Sequence, residues 1–139
     1  MYTHINTHDC INHLSTYLLD PLIKNKFPHY PPKALIAAIK LIMNNNRMNF
    51  GASFVQQLKG IAMGMSTTLP IANLYVALHK ASDILPIFGN SLFFYVRCID
   101  NGLPIWKRHM YPAINARNLG DFKKAINKSG LSWTFTDPR

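Results

Sequence analysis

The stretch SLFFYVRCIDNGLPIW, residues 91–106, restricts the fold more than any other part of the chain. Two apolar runs flank Asn101-Gly102, and Asn-Gly in that setting is the strongest short-range signal for a two-residue hairpin turn, because both central residues need positive φ. The pattern predicts an antiparallel hairpin with Asp100 at its tip. Along the incoming strand Phe94, Val96 and Cys98 share one face, and Phe93, Tyr95, Arg97 and Ile99 share the other. Both faces are therefore expected to be covered and the hairpin to be interior. Pro104 has no N–H for a ladder, which makes the outgoing strand an edge or the seat of a bulge. Asp100 has two readings: it begins the turn by bonding backbone amides, or it helps to hold a divalent metal beside a nucleic acid, since Mg²⁺ favours one or two carboxylates plus substrate phosphates.

The rest of the chain alternates helical and extended patterns. Thr7 or Asp9 is placed to cap a helix running to about Leu19, with Ile11, Leu14 and Leu18 on one stripe and Pro21 as its stop before a loop. PPKALIAAIKLIMNNN starts on proline, is apolar almost all round and ends in three Asn suited to left-handed C-terminal positions, so a buried helix is expected. RMNFGASFVQQLKG reads as a hairpin around Gly51 that enters a Gly-bounded loop. Thr67 or Thr68 then caps a helix with Pro70 in its first turn, continuing to about Ser82. NARNLGDFKKAINKSG places Leu119, Phe122 and Ile126 on one helical face with Gly130 beyond the end, and LSWTF alternates as a strand. The layout is α+β over residues 1–139, with helices packed on one face of an antiparallel sheet.

Charge narrows the partner. Fifteen Lys and Arg stand against six acids, a formal net charge of +9, which favours a polyanion. The alternative is a basic surface kept for solubility. Lys107, Arg108, Arg117, Lys123, Lys124 and Lys128 spread over a loop and a helix, as a solvated face or a nucleic-acid surface. Cys10 and Cys98 make no disulfide framework and read as reduced thiols of an intracellular protein, nuclear or cytoplasmic. The N-terminal MYTHINTHDC is no secretory signal, and the most apolar stretch carries His79, Lys80 and Asp83, so no membrane partner is expected. His4, His8 and His13 near Cys10 match no standard zinc spacing; solvated histidines are the other reading.

Four blocks carry a resemblance. QLKGIAMGMSTTLPIANLYVALHK resembles motif B of reverse transcriptases, with Gln57, Gly60, Ala62, Met63, Gly64, Pro70, Ala72 and Asn73 on its characteristic positions. YVRCIDNG is similar to motif C, normally an aromatic-x-Asp-Asp hairpin, and MYTHINTHDCINHLSTYL is similar to the tail of motif A and the helix after it. NLGDFKKAINKSGLSWTF resembles the palm helix and following strand of Penelope-like and related non-LTR retroelement enzymes. The resemblance covers nearly the whole chain. It implies a partial polymerase palm of an RNA-directed DNA polymerase, with an RNA template and a DNA primer as partners. Met63 and the Gly60–Gly64 loop would approach template and nucleotide beside Asp100, and Mg²⁺ would be held by motif A and C carboxylates.

Three departures bear on activity. Asn101 stands where the second motif C acid is expected, and it is a weaker ligand for a hard cation. Cys98 replaces the usual aromatic residue, and the motif A aspartate is expected a few residues before Met1. Asp100 is thus expected to act as catalytic and metal residue only in part, with Mg²⁺ poorly held and the chain alone inactive. Fingers, thumb and the primer-gripping hairpin are likewise expected outside this sequence. The alternatives are a non-catalytic basic nucleic-acid binding module, with Lys107, Arg108, Lys123 and Lys124 as contacts, and a retroelement remnant without function.

Overall fold

The computed structural model describes residues 4–62, 65–99, 101–128 and 130–136. The chain divides into two compact units, Tyr2–Tyr75 and Val76–Arg139. Helix and strand are mixed, with two separate antiparallel sheets of two strands each among the described residues. The chain is α+β.

In the first unit, α1 (Thr7–Leu19) starts one residue earlier than its expected caps. Asn6 caps it, its side-chain oxygen accepting from the amides of His8 and Asp9 at 2.9 and 3.2 Å. Cys10, Ile11, Leu14 and Leu18 form its buried stripe. As expected, α1 ends at Leu19 ahead of Pro21, with Asp20 extended, but the loop expected to follow is in part helix. Asp20 accepts from the Leu22 amide at 2.8 Å and opens α2 (Pro21–Lys26), with proline in the first turn where its missing N–H costs nothing.

The helix α3 (Pro32–Asn44) forms where expected, but it is not buried. Only Met43 is fully covered, while Leu35 and Leu41 are exposed, because the helix packs on α1 along one side and Leu35, Ile39 and Ile42 face Ile71 and Leu74 only across an open groove of about 370 Å³. Its asparagines also work differently: Asn45 has φ −118° and donates through its side chain to the Leu41 carbonyl at 2.8 Å, capping without a left-handed backbone. Strands β1 (Arg47–Phe50) and β2 (Ser53–Gln56) make the expected hairpin, with Gly51 at φ 60° in the turn. Helix α4 (Thr68–His79) begins in this unit, burying Ile71, Ala72 and Tyr75.

The second unit continues that helix past Ser82. A π-helical turn (Lys80–Ile84) leads into α5 (Leu85–Phe88) and a 3₁₀ turn (Gly89–Ser91). The hairpin β3 (Leu92–Cys98) and β4 (Asn101–Trp106) follows, then α6 (Pro112–Ile126), which starts three residues before the expected Asn115 because Pro112 occupies its first turn. Ile84, Phe88, Phe122, Ala125 and Ile126 form the core, with Leu92, Tyr95, Trp106, Leu119, Trp133 and Phe135 packed around it. Helices therefore cover one face of the hairpin. The rings of Phe88 and Phe122 meet edge to face at 5.5 Å, and Trp106 lies 5.4 Å from Phe122.

Three expectations for this unit are corrected. The ladder closes on Cys98 opposite Asn101, and Gly102 pairs with Arg97, so Asn101 and Gly102 are strand residues rather than the turn. The hairpin is covered on one face only: Phe94, Val96, Leu103 and Ile105 are exposed, because the core of the unit packs on the opposite face, that of the half-buried Tyr95 and Trp106. Pro104 does stand in an edge strand, since β4 pairs only with β3 among the described residues, and a bulge between Leu92 and Phe94 on the other strand leaves Phe93 exposed. LSWTF forms no strand: Leu131 is buried and Trp133 and Phe135 are half-buried as the alternation foretold, yet the Trp133 amide donates to the side-chain oxygen of Asn127 instead of a ladder. Among the described residues no helix is long and apolar enough to cross a membrane.

Candidate functional site

The segment from Gln57 to Ala62 is held by hydrogen bonds to backbone groups on both sides of it. The Gln57 amide donates to the Asn46 carbonyl at 2.8 Å, which extends the β1–β2 hairpin by one bond, and the Gln57 side chain donates to the Lys59 carbonyl at 2.7 Å. Gly60 takes φ 81°, a conformation that a side chain disfavours, and its buried N–H donates to the Ile5 carbonyl at 3.0 Å. Ala62 is buried, and its carbonyl accepts the Thr68 hydroxyl at the start of α4. Gln57, Gly60 and Ala62 are thus brought together, and the loop is fastened both to the segment before α1 and to the helix after it. Met63 and Gly64 lie outside the described residues.

At the second hairpin, Ile99 has φ 53°, the one non-glycine residue with positive φ among the described residues. For a β-branched residue this is a strained backbone. The Arg97 guanidinium donates to the Ile99 carbonyl and fastens it. Asp100 follows directly but lies outside the described residues, so its pairing with the Gly60 loop does too. Asn101 opens β4, exposed, opposite Cys98.

The donor set here is one carboxylate and one neutral amide. Two-metal chemistry needs at least two carboxylates to offset two dications, so the residues present do not fit a pair of Mg²⁺ ions. Among the described residues no group of three His, Cys, Asp or Glu side chains converges on a point. The histidines near the N-terminus have other partners: His8 meets the Asn12 side chain at 3.2 Å, and His13 stacks on Tyr75 at 5.8 Å. Burial pushes the Cys10 thiol up to about 12, far from the thiolate that metal binding or nucleophilic attack requires. Burial also raises the Tyr95 phenol, opposed by the charge of Arg97.

Of the four basic residues expected as nucleic-acid contacts, two share a groove. Arg108 and Lys123 line one groove of about 640 Å³ between β4 and α6, together with Trp106, His109, Asn115 and Phe135. Lys107 and Lys124 do not line it. Lys124, 83% exposed, faces Asp121 at 4.0 Å, as does Arg117 at the same distance. Residues that the sequence reading did not single out also matter. Asn115 accepts from both the Trp106 indole and the His109 amide at 3.1 Å, and the interleaving of WKRHMY was the available signal for that wall. His79 is 2% exposed and joins Asp83 at 2.7 Å and the Ala125 carbonyl at 3.2 Å, tying the π-helical turn to α6. Its i, i+4 spacing from Asp83 was visible in the sequence.

No family model, no curated protein and no solved structure matches this chain.

Proposed function

We propose that the chain is a palm segment of an RNA-directed DNA polymerase of the retroelement type, catalytically incomplete on its own and retaining affinity for nucleic acid. The observation that carries this reading is the hydrogen bond from the Gly60 amide to the Ile5 carbonyl. It joins two blocks, far apart in sequence, that resemble motif B and the tail of motif A of that family. The strained Ile99 beside Asp100 adds weight, since residues held at costly φ cluster at functional sites.

Incompleteness follows from charge. With Asn101 at the second acid's position, Asp100 alone does not offset two metal ions. A primer-extension assay on an RNA template with Mg²⁺ or Mn²⁺ tests this: the purified chain is expected to give no extension, and Asn101→Asp alone is expected not to restore it. Template-dependent extension that Asp100→Ala abolishes would overturn the claim of incompleteness.

A further inference from the structure

From the groove between β4 and α6, we infer a binding site for single-stranded nucleic acid, one or two nucleotides long, distinct from the hairpin tip. The groove combines what such a ligand needs. Two cations, Arg108 and Lys123, line it with the half-buried rings of Trp106 and Phe135. Neither cation has a carboxylate within ion-pair distance among the described residues, whereas Arg117 and Lys124 share Asp121. A phosphate entering here meets positive charge that no described carboxylate neutralises. Lys123 lies 5.1 Å over the Phe135 ring, which holds the ammonium beside the aromatic wall rather than free in solvent.

The wall is preorganised. Trp106 is held from behind by Phe122 at 5.4 Å and Phe88 at 6.5 Å, and its indole N–H is fixed on Asn115. The same Asn115 oxygen takes the His109 amide, and the His109 ring nitrogen accepts from the Tyr111 amide at 3.1 Å, so the loop carrying Arg108 is fastened to the start of α6. A rigid aromatic surface next to two cations suits a splayed base and its phosphate, since any base has a π-face to stack. A duplex hides its base faces, so a duplex of the same length gains only the phosphate contacts.

The inference shares with the polymerase reading only the expectation of a nucleic-acid partner, and it stands if the hairpin tip proves unrelated to catalysis. Fluorescence anisotropy of a labelled twelve-residue oligouridylate, titrated with the full chain at several salt concentrations, tests it. Two phosphate contacts predict a log–log salt slope of about −1.4, against about −4 if all six basic residues of the loop and helix took part. Arg108→Ala with Lys123→Ala, both away from the core, is expected to weaken binding at least tenfold, and Lys107→Ala with Lys124→Ala to change it less than twofold. Equal loss from the two double variants, equal affinity for a duplex, displacement of the RNA by polyglutamate at equal charge concentration, or no binding at low salt by a folded sample would each overturn the inference.

Discussion

Replacing Ile99 by glycine tests the hairpin register directly. At φ 53° the isoleucine holds a left-handed backbone that costs an L-residue roughly 1–2 kcal/mol, and glycine removes that cost. Two losses oppose the gain. Glycine adds freedom to the unfolded chain, about 0.5–1 kcal/mol. Ile99 is 43% exposed, so a little over half of the roughly 1.5–3 kcal/mol for burying an isoleucine is also lost, about 1–1.5 kcal/mol. The net change is expected to lie between a gain of about 0.5 and a loss of about 1.5 kcal/mol. Were Asn101-Gly102 the turn instead, Ile99 would be an ordinary strand residue, nothing would be relieved, and the loss would be about 1.5–2.5 kcal/mol. Urea denaturation read by circular dichroism measures this through the midpoint at unchanged m. A loss above about 1.5 kcal/mol would refute the register in which Cys98 faces Asn101.

The core and the thiols give two further tests. Phe122→Ala removes a ring that is 1% exposed and touches Phe88, Trp106 and Phe135, so a loss of about 3–5 kcal/mol is expected by denaturant titration; a loss below about 1 kcal/mol would mean that the ring is not a core residue. The Cys10 pKa is raised on folding from 9.0 to about 12, so the stability it lends is complete below pH 9 and is lost as the pH climbs from 9 towards 12. At pH 8 iodoacetamide is accordingly expected to label the exposed Cys98 and to reach Cys10 only in denaturant; equal labelling of both in the folded chain would contradict the burial of Cys10.

Local rules reached the elements better than their partners. The β3–β4 hairpin was legible because two apolar runs flank a turn signal, but its register was not, since Gly102 serves a different need. A Cβ there would lie 3.2 Å from the Trp133 ring, so the glycine admits a residue thirty-one positions away instead of supplying positive φ. The same long-range blindness applies to α3, whose all-round apolar pattern says what the helix prefers and not what surrounds it. In LSWTF the alternation gave the right inward residues, while the missing ladder depended on Asn127 taking the Trp133 amide. Of the candidate site, the Gly60 turn and its loop were legible from glycine spacing. The groove at Arg108 and Lys123 was legible only in part, because α6 had to fold back on β4 before two of the six basic residues shared a wall.

Paramagnetic broadening by Mn²⁺ in the NMR spectrum, compared between the natural chain and Asn101→Asp, tests the polymerase reading most directly. If Asp100 and Asn101 stand at the two acid positions of motif C, a second carboxylate at 101 adds a hard-cation ligand where one is missing. The amides of Arg97 to Leu103 are then expected to broaden at lower Mn²⁺ concentration in the variant than in the natural chain, while those of α6 stay unchanged in both. Identical titrations of the two chains, or broadening that bypasses the hairpin in both, would contradict the assignment of that hairpin as a polymerase-type metal position.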